Sequence, residues 1–373
     1  MIPMQSVLVY TMTFLMMFSA SVLYKNGRSA VLMPDMKYRR WDILACLIFT
    51  IVFGLRYNVG IDYANYKEMY DTHEFERLEY IFRGVSELFA ANEVHVTIYF
   101  ALWAFLQIYI LMKAFRSEKF IYPALIFTLF AGQYFLLWMN VIRQDIAACI
   151  FIYSIAFIVD KKFLKYLLCI VIACGFHKTA VLLLAVYPIL RYRKNYFNNI
   201  PVQIGVLLVS VVIGLKSAEL MEAIDRLMEP FLLVLGYEEY AFGGVESSIS
   251  EVKIGVSFLA TLMIDFMIIA YSRRMKAFYA NDRFLCFYDL YYAGIVLNML
   301  LANSFILQRP VRYFRFFKMI IAAYLLYYLY KNGKSKINVI AFIVLIALFL
   351  LLYISLFRYG PDACYIYYFF WQQ

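Results

Sequence analysis

Side chains that could carry chemistry are sparse in this chain and fall into four short stretches. The stretches are RYNVGIDYANY (56–66), NVIRQD (140–145), HK (177–178) and QRPVRY (308–313). Arginine guanidinium groups bind phosphate oxygens through paired N–H donors, whereas tyrosine rings stack on sugars and carboxylates accept hydrogen bonds from sugar hydroxyls. Together these groups suit a ligand that carries both a diphosphate and sugars, such as a polyprenyl-diphosphate-linked glycan. A pump or a channel could also use such residues.

The composition places these stretches in a membrane protein. Of the 373 residues, 65% are hydrophobic and 16% are charged, and the mean hydropathy is +0.72. A soluble domain carries about 25% charged residues, so the chain belongs in a bilayer. The formal net charge of +10 comes from short clusters between apolar runs and not from one basic stripe, which argues against a nucleic-acid partner.

Cysteine usage and acid spacing give no sign of a metal site. Five of the six cysteines lie within apolar runs and none forms a CxxC pair, so neither a metal site nor a disulfide framework is predicted. No acidic pair is matched with a second acid at metal-ligand spacing, and no cofactor is expected. The first apolar run has no basic segment before it, which argues against a cleavable signal peptide.

The apolar runs predict an all-α polytopic membrane protein. A spanning helix needs about 20 apolar residues, with about 17 to 25 allowed. We expect one polytopic domain, residues 1–373, with two long outer loops at 56–96 and 216–253. The candidate spans are 2–23, 42–55, 97–112, 120–139, 146–159, 166–190, 200–215, 254–271, 284–304, 316–330 and 337–357.

The short loops rich in Lys and Arg orient these spans. Six loops of one set hold 21 of the 35 Lys and Arg residues, whereas the loops 56–96 and 216–253 hold eight acidic residues each. Basic loops stay in the cytoplasm, so both termini and both acidic loops are predicted to lie outside.

A single crossing by 166–190 would place the basic segment RYRKNYFNN outside, against this charge rule. We therefore predict a broken helix pair that folds back near CGFHKT, with His177 and Lys178 at its outer apex, and about 12 membrane segments in all.

In this topology the four stretches converge at the outer face and predict a site there. Gly60 would allow the turn that brings Asp62 back over the membrane edge. The candidate residues are Arg56, Tyr57, Asp62, Tyr63, Tyr66, Asn140, Arg143, Gln144, His177, Lys178, Gln308, Arg309, Arg312 and Tyr313.

Each stretch also has a purely structural interpretation. Arginine and tyrosine at a membrane edge can simply anchor helices, and Asp145 can cap the helix that follows it. A lone histidine in an apolar run is often a packing residue. Deeper in the chain's apolar runs, Asp265 and Asp289 could relay protons in a transporter, or could bond to a neighbouring tyrosine or basic residue.

The four stretches also carry a family resemblance. FGLRYNVGIDYANYKEMY resembles the R-Y-x-x-G-x-D-Y-x-x-Y stretch of the EpsG-like, Wzy-type membrane polysaccharide polymerases. NVIRQDIAACIFIYSIAFI, KKFLKYLLCIVIACGFHKTAVLLL and LQRPVRYF follow in that family's order, so the resemblance covers most of residues 40–320. The segment after about residue 330 carries no motif of the family.

The resemblance implies a glycosyltransferase of the bacterial cytoplasmic (inner) membrane. Such an enzyme polymerises polyprenyl-diphosphate-linked oligosaccharide repeat units at the outer face, in surface polysaccharide, exopolysaccharide, capsule or O-antigen synthesis. The family is also similar to the C-type glycosyltransferases in architecture. Carried onto this sequence, the matching positions are Arg56, Asp62, Tyr63, Asn140, Arg143, Gln144, His177, Arg309 and Arg312.

This reaction assigns expected roles to the matching residues. Arg143, Arg309 and Arg312 would clamp the diphosphate, because cationic donors stabilise charge that develops on a leaving group. His177 would act as the base for the acceptor hydroxyl or would bind phosphate, and Asp62 is the competing base. Arg56 would hold Asp62 in place or join the clamp.

Two other functions remain open on the sequence. A lipid-linked glycan flippase, or another secondary transporter, would need polar groups along a path through the whole membrane. An outward-facing O-acyltransferase would need a histidine-based motif, yet His73 and His95 lie in an exposed acidic loop. The expected partners are the lipid-linked oligosaccharide and the bilayer, with a chain-length regulator and a flippase as further candidates.

Overall fold

The computed structural model describes residues 4–26, 36–192, 197–216, 227, 230, 254–359 and 364–372. These residues are mainly helical, which confirms the predicted all-α polytopic class. The predicted outer loop 216–253 lies outside the described residues except at three isolated positions. The α-helices are α1 Met4–Asn26, α2 Met36–Gly54, α3 Asp62–Thr72, α4 Tyr80–Ala91, α5 Val96–Ala114, α6 Tyr122–Ala131, α7 Tyr134–Asn140, α8 Ile142–Val159, α9 Phe163–Cys174, α10 Val186–Arg191, α11 Ile200–Lys216, α12 Val256–Tyr279, α13 Asp282–Leu300, α14 Phe305–Lys331 and α15 Lys336–Tyr359.

Short 3-10 helices and one small sheet complete the described structure. The strands β1 Arg56–Tyr57 and β2 Tyr368–Phe369 pair antiparallel, with Arg56 opposite Phe369. Long helices dominate because the bilayer offers no water to backbone groups, so each span must satisfy its own hydrogen bonds. The 3-10 helices are Lys119–Ile121, Lys178–Ala185 and Phe370–Gln372.

Among the described residues, five helices are long and apolar enough to cross a membrane. A sixth crossing results if the bent pair Lys119–Ala131 and Tyr134–Asn140 counts as one span. The predicted span 120–139 is therefore not one straight helix: its two parts meet at 64°, where Gln133 adopts a left-handed φ of 63°. The total of about 12 membrane segments stays a prediction. The five helices are Met4–Val22, Val96–Ala114, Ile142–Val159, Val256–Tyr279 and Lys336–Arg358.

The predicted break near CGFHKT is present, and the chain reverses there. α9 ends at Cys174, His177 is extended, and a 3-10 helix begins at Lys178. The Tyr166 hydroxyl donates to the Leu183 carbonyl at 2.5 Å, a contact that a continuous helix could not make across seventeen residues. The segment Phe163–Arg191 is therefore a folded-back pair with His177 and Lys178 at its apex.

The LQRPVRYFR stretch differs from its predicted form. It was expected to be a loop between two spans, but α14 already begins at Phe305 and runs through Pro310. The Ser304 hydroxyl accepts a hydrogen bond from the Leu307 N–H at 3.0 Å and so satisfies one of the donors at the helix start. Arg309 and Arg312 consequently sit on a helix.

The chain divides into two compact units, Met1–Tyr192 with Leu326–Gln373, and Arg193–Leu325. The prediction that both belong to one polytopic domain stays a prediction. In the first unit, α2 packs on α5, α5 on α8, and α8 on α9. Gly54 allows the first of these approaches, because a Cβ there would lie 2.5 Å from the Ala101 Cβ.

The C-terminal segment 364–372 packs against the N-terminal part of the first unit. The Tyr367 N–H donates to the Ser6 hydroxyl at 2.7 Å, and the Tyr10 hydroxyl donates to the Cys364 carbonyl at 2.6 Å. The Phe370 N–H donates to the Leu55 carbonyl at 2.9 Å. Residues 364–372, which carry no recognisable motif, thus contain β2, the partner strand of the Arg56–Tyr57 dipeptide that opens the first stretch.

The second unit contains a buried ion pair. Lys318 Nζ on α14 lies 2.6 Å from Asp265 Oδ2 on α12, and the Asp265 side chain is 1% exposed. The Tyr291 hydroxyl donates to Asp265 Oδ1 at 3.0 Å, and Lys318 also donates to the Thr261 carbonyl. These contacts match the structural interpretation of Asp265, a carboxylate held by a tyrosine and a basic residue.

We predict that Asp265→Asn destabilises the protein strongly and that a second change, Lys318→Met, restores most of the loss. Removal of one partner leaves a buried charge without its counter-charge, which costs about 3–5 kcal/mol, whereas replacement of both partners by uncharged side chains leaves no buried charge unpaired. Thermal unfolding of the detergent-purified variants measures both effects. A double variant as unstable as Asp265→Asn alone would contradict the prediction.

Candidate functional site

A tight turn at Gly60 links α2 to α3. Gly60 has φ +95°, a region that side chains with a Cβ rarely adopt. A Cβ at this position would also lie 2.7 Å from Asn140 Oδ1, so the turn and the α7–α8 junction are in close contact. The same Asn140 oxygen accepts a hydrogen bond from the Asp62 N–H at 3.1 Å. The junction therefore fixes the start of α3.

Arg56 stabilises the chain next to this turn through contacts with α5 and α7. Its side chain is buried, and its Nη2 donates to the Met139 carbonyl at 3.0 Å. The guanidinium lies 4.9 Å from the centre of the Phe100 ring, on which the Tyr63 ring stacks at 4.8 Å. A buried cation needs such hydrogen-bond acceptors and aromatic faces around it. Its position favours a bracing role over direct substrate contact.

The α4 helix is docked onto the end of α9 through backbone groups. The Ile81 and Phe82 N–H groups donate to the Gly175 carbonyl at 3.0 and 3.2 Å. A helix start has unsatisfied N–H groups and a helix end has unsatisfied carbonyls, so the two ends satisfy each other. Gly175 leaves room for this contact, since an added Cβ would lie 2.4 Å from the Ile81 side chain and would displace it.

This docking places Glu79, the residue before α4, over the apex of the folded-back pair. Its Oε2 accepts from Arg143 Nη1 at 2.5 Å. Its Oε1 accepts from the Lys178 N–H at 3.2 Å and lies 3.4 Å from His177 Nδ1. Arg143 Nε donates to the Tyr66 hydroxyl at 3.4 Å. We call Tyr66, Glu79, Arg143 and His177 the Glu79 cluster.

The electrostatics of the cluster keep Glu79 ionised. Burial would raise the pKa of its carboxyl, but the hydrogen bond with His177 and the positive charge of Arg143 outweigh burial and lower the pKa to about 2. Burial raises the pKa of Tyr66, against the lowering effect of Arg143. The cluster thus holds a carboxylate, a guanidinium and a neutral phenol at neutral pH.

Arg143 combines a fixed geometry with partial exposure. Nε and Nη1 are bound to Tyr66 and Glu79, while 31% of the side chain remains exposed. Within the described part of the chain, Nη2 makes no hydrogen bond to protein. A guanidinium held on one side presents its remaining donors in a defined direction, as phosphate binding requires.

The structure brings together most of the residues predicted from the first three stretches. Arg143, Gln144 and Asp145 lie in the first turn of α8, and the side chains of Gln144 and Asp145 are buried. Tyr57 lies in β1 with its ring 6.0 Å from that of Tyr63. Both belong to the first unit, as do Arg56, Asp62, Tyr66, Asn140, His177 and Lys178.

The residues of the fourth stretch belong to the second unit. Gln308 donates to the Asn298 carbonyl at 3.1 Å, and Tyr313 is fully buried. Arg309 and Arg312 are half-buried on α14. A diphosphate clamp that joins these two arginines with Arg143 stays a prediction.

Glu79 was missed by the sequence analysis. It is one of eight acidic residues in the loop 56–96, and nothing in its local sequence distinguishes it from the other seven. Its importance comes from the docking of α4 on Gly175, a tertiary contact. Glutamate directly before a helix is a weak signal, since Ser, Thr, Asp and Asn are preferred there.

The donor set of the described residues does not favour a metal ion. No group of three or more His, Cys, Asp or Glu side chains in the described ranges comes close enough to hold one. The Glu79 carboxylate, the one buried acid of the cluster, is already bound to Arg143.

The fold and the cluster define a class: a polytopic α-helical membrane protein with a charged site at one end of its first unit, where α2, α7 and α9 end. A comparison with protein-family models identifies the family within this class. The EpsG family model matches residues 39–370, so the chain belongs to the EpsG family, a family of Wzy-like polysaccharide polymerases. No curated protein and no solved structure matches the chain.

We predict that Gly60→Ala destabilises the protein by about 1–3 kcal/mol, because a non-glycine residue at this positive φ is strained and its Cβ would displace Asn140. The measurement is thermal unfolding in detergent. Gly84→Ala is the matched control: Gly84 lies inside α4 with no atom within 4 Å of an added Cβ. That change should raise stability by up to about 1 kcal/mol. Equal effects of the two substitutions would refute the role of the turn.

A pH prediction follows from the lowered pKa of Glu79. A carboxyl whose folded-state pKa is depressed stabilises the fold fully above its usual pKa, and the stabilisation is lost as the pH falls toward the folded-state value. We expect the stability difference between wild type and Glu79→Gln to be about 3 kcal/mol and not to fall between pH 8 and pH 5. The difference should then shrink from about pH 4.5 toward pH 2. Unfolding scans at stepped pH test this, and a loss that begins near pH 7 would contradict it.

Proposed function

We propose that this protein polymerises polyprenyl-diphosphate-linked oligosaccharide repeat units at the outer face of the bacterial cytoplasmic membrane. One observation carries the proposal. In a chain that belongs to a polysaccharide polymerase family, a buried carboxylate, Glu79, binds a partly exposed arginine and an imidazole at once. Glycosyl transfer from a diphosphate needs a cation for the leaving group and a base for the attacking hydroxyl.

The base in this proposal is His177. A proton on Nδ1, which faces Glu79 Oε1 at 3.4 Å, makes Nε2 the basic nitrogen of the ring. A carboxylate that holds an imidazole in one tautomer also stabilises the imidazolium that forms when the ring takes up a proton. Glu79 itself is a poor base because its pKa is about 2, so it is a positioning residue.

The reaction has one bond-forming and one bond-breaking step at the anomeric carbon of the donor glycan. The acceptor sugar's hydroxyl oxygen forms a bond to that carbon, and its proton passes to His177. The bond from the carbon to the diphosphate oxygen breaks, and polyprenyl diphosphate leaves with the electron pair. Arg143 stabilises the growing negative charge through its outward N–H donors.

The other predicted participants keep their expected roles as parts of this proposal. Asp62, which is anchored through its backbone to Asn140, is the competing base. Lys178 adds positive charge at the apex, whereas the clamp role of Arg309 and Arg312 stays a prediction from the sequence. The outer-face location is supported by the basic loops, which the charge rule assigns to the cytoplasm.

The test is complementation of a strain that lacks its own copy of the protein. We predict that Arg143→Ala and His177→Gln each remove long-chain surface glycan, with the protein still present in the membrane at its normal level. Loss of one donor to a developing anion typically lowers a rate by about 10²–10³. Surface glycan size, read from gels of cell extracts, is the measurement.

A matched pair of controls lies on α4. Arg83 and Glu87 also form an arginine–glutamate pair, but both side chains are about half exposed. Arg83→Ala and Glu87→Gln should leave the glycan length unchanged. Unchanged long chains in Arg143→Ala would refute the proposal, and repeat units trapped on the inner leaflet would identify a flippase instead.

A further inference from the structure

A second polar feature lies beside the Glu79 cluster and takes no part in it. A cleft of about 400 Å³ opens between the second half of α3 and the connection from α4 to α5. This volume falls within the range of about 300–1,000 Å³ that ligand sites occupy. We call it the Tyr70 cleft. Its chemically active side chains are Lys67, Tyr70, Asp71, His73, Glu93 and His95.

The floor of the cleft is rigid. The Tyr70 side chain is buried, its hydroxyl donates to the Val94 carbonyl at 2.6 Å, and its ring packs 4.5 Å from that of Tyr99. His95 is also fixed, since its Nδ1 accepts from the Thr97 N–H at the start of α5. A polar rim on an ordered floor is the arrangement that orients a bound ligand.

The cleft adjoins aromatic rings of the C-terminal segment, among which Trp371 is exposed. The ring of His95 lies 5.8 Å from that of Phe370, which lies 5.1 Å from Trp371. Trp371 stacks on Phe369 at 4.4 Å with an interplanar angle of 7°, yet 60% of Trp371 is exposed. One indole face is therefore held in place while much of the side chain remains open to a ligand.

The charges of the cleft distinguish it from a phosphate site. It contains one lysine and two acids, and Lys67 is already paired with Asp71. A dianionic group is therefore disfavoured there, whereas carboxylates, imidazoles and an exposed indole suit a neutral molecule with many hydroxyls and apolar ring faces. Sugars have this chemistry.

The position of the cleft agrees with a glycan that reaches the Glu79 cluster. Tyr66, which binds Arg143, and Tyr70, the floor of the cleft, are four residues apart on α3. Four residues of α-helix span about 6 Å along the axis. A sugar chain with its reacting end at the cluster would thus pass directly along the cleft.

We propose that the Tyr70 cleft, with Trp371 at its edge, binds an oligosaccharide segment of the lipid-linked glycan. This inference rests on the proposed function and adds to it the place where the sugars are held. In this arrangement the diphosphate and the sugars occupy separate places, the first at Arg143 and the second along α3. The cleft residues take no part in the chemical step.

The test measures sugar binding apart from polymerisation. The probe is the free repeat-unit oligosaccharide released by mild acid from the host's lipid-linked repeat units, titrated against the full-length protein in detergent by saturation-transfer NMR. The variants are Asp71→Asn with Glu93→Gln, and Trp371→Ala; these side chains are exposed, so the fold should be retained. We expect each to weaken binding at least tenfold and to shorten the surface glycan.

Two matched controls should bind like the wild type. Glu68→Gln removes an exposed acid from α3 that does not line the cleft, and Tyr330→Ala removes an aromatic ring as exposed as Trp371. Arg143→Ala should also keep its affinity for the free oligosaccharide, because it contacts no sugar in this proposal.

The outcomes separate the two proposals. If Arg143→Ala removes long-chain glycan but the cleft variants bind the oligosaccharide as well as wild type, the cleft proposal alone is wrong. If wild type itself shows no binding at millimolar oligosaccharide, the cleft proposal is also wrong. If Arg143→Ala leaves the glycan length unchanged, the proposed polymerase function fails, whatever the cleft variants show.

A separate outcome concerns Trp371. If Trp371→Ala loses a protein partner but keeps sugar binding, the exposed indole binds that partner, and its proposed sugar role is wrong.

Discussion

The organisation of the first unit depends on the burial of one carboxylate, that of Glu79. An ionised carboxylate away from water is costly unless charges and hydrogen-bond donors surround it. Here Arg143 comes from α8, His177 and the Lys178 N–H come from the apex of the folded-back pair, and Glu79 itself precedes α4. One acidic group therefore fixes three segments that are distant in sequence.

A second constraint positions the other wall of the site. β2 pairs with β1, and the tail hydrogen bond from Phe370 to Leu55 holds the chain just before Arg56. Arg56 then bonds to Met139, and the Gly60 turn brings the Asp62 N–H to Asn140. The C-terminal segment thus acts on the α7–α8 junction through a series of short-range contacts. The family match also extends to residue 370, well beyond the last motif visible in the sequence.

The sequence predicted local features well where a single segment determined them. Positive-inside charge bias and span length together required the fold-back near His177, and the glycine at position 60 signalled a turn. Features that are formed by two segments distant in sequence could not be predicted from the sequence. Glu79 looks like its acidic neighbours until α4 docks on Gly175, and the pairing of the tail with β1 leaves no periodic pattern. The LQRPVRYFR stretch was placed in a loop because it lies between the predicted spans 284–304 and 316–330, whereas α14 begins at Phe305 and includes Pro310.

The two ion pairs differ in exposure, and this difference supports a structural role for the first and the proposed phosphate-binding role for the second. In the pair of Asp265 and Lys318, the side chains are 1% and 12% exposed, and both partners make further bonds to the protein. In the pair of Glu79 and Arg143, the acid is equally enclosed at 4%, but the arginine is 31% exposed. A ligand can reach only the second cation, which is already oriented by its buried partner. A carboxylate that is permanently ionised and hidden can therefore hold Arg143 in position without repelling an anionic substrate at close range, because its own charge is neutralised locally. The enclosed lysine has no such access, and its pairing with Asp265 is sufficient to account for its position between α12 and α14.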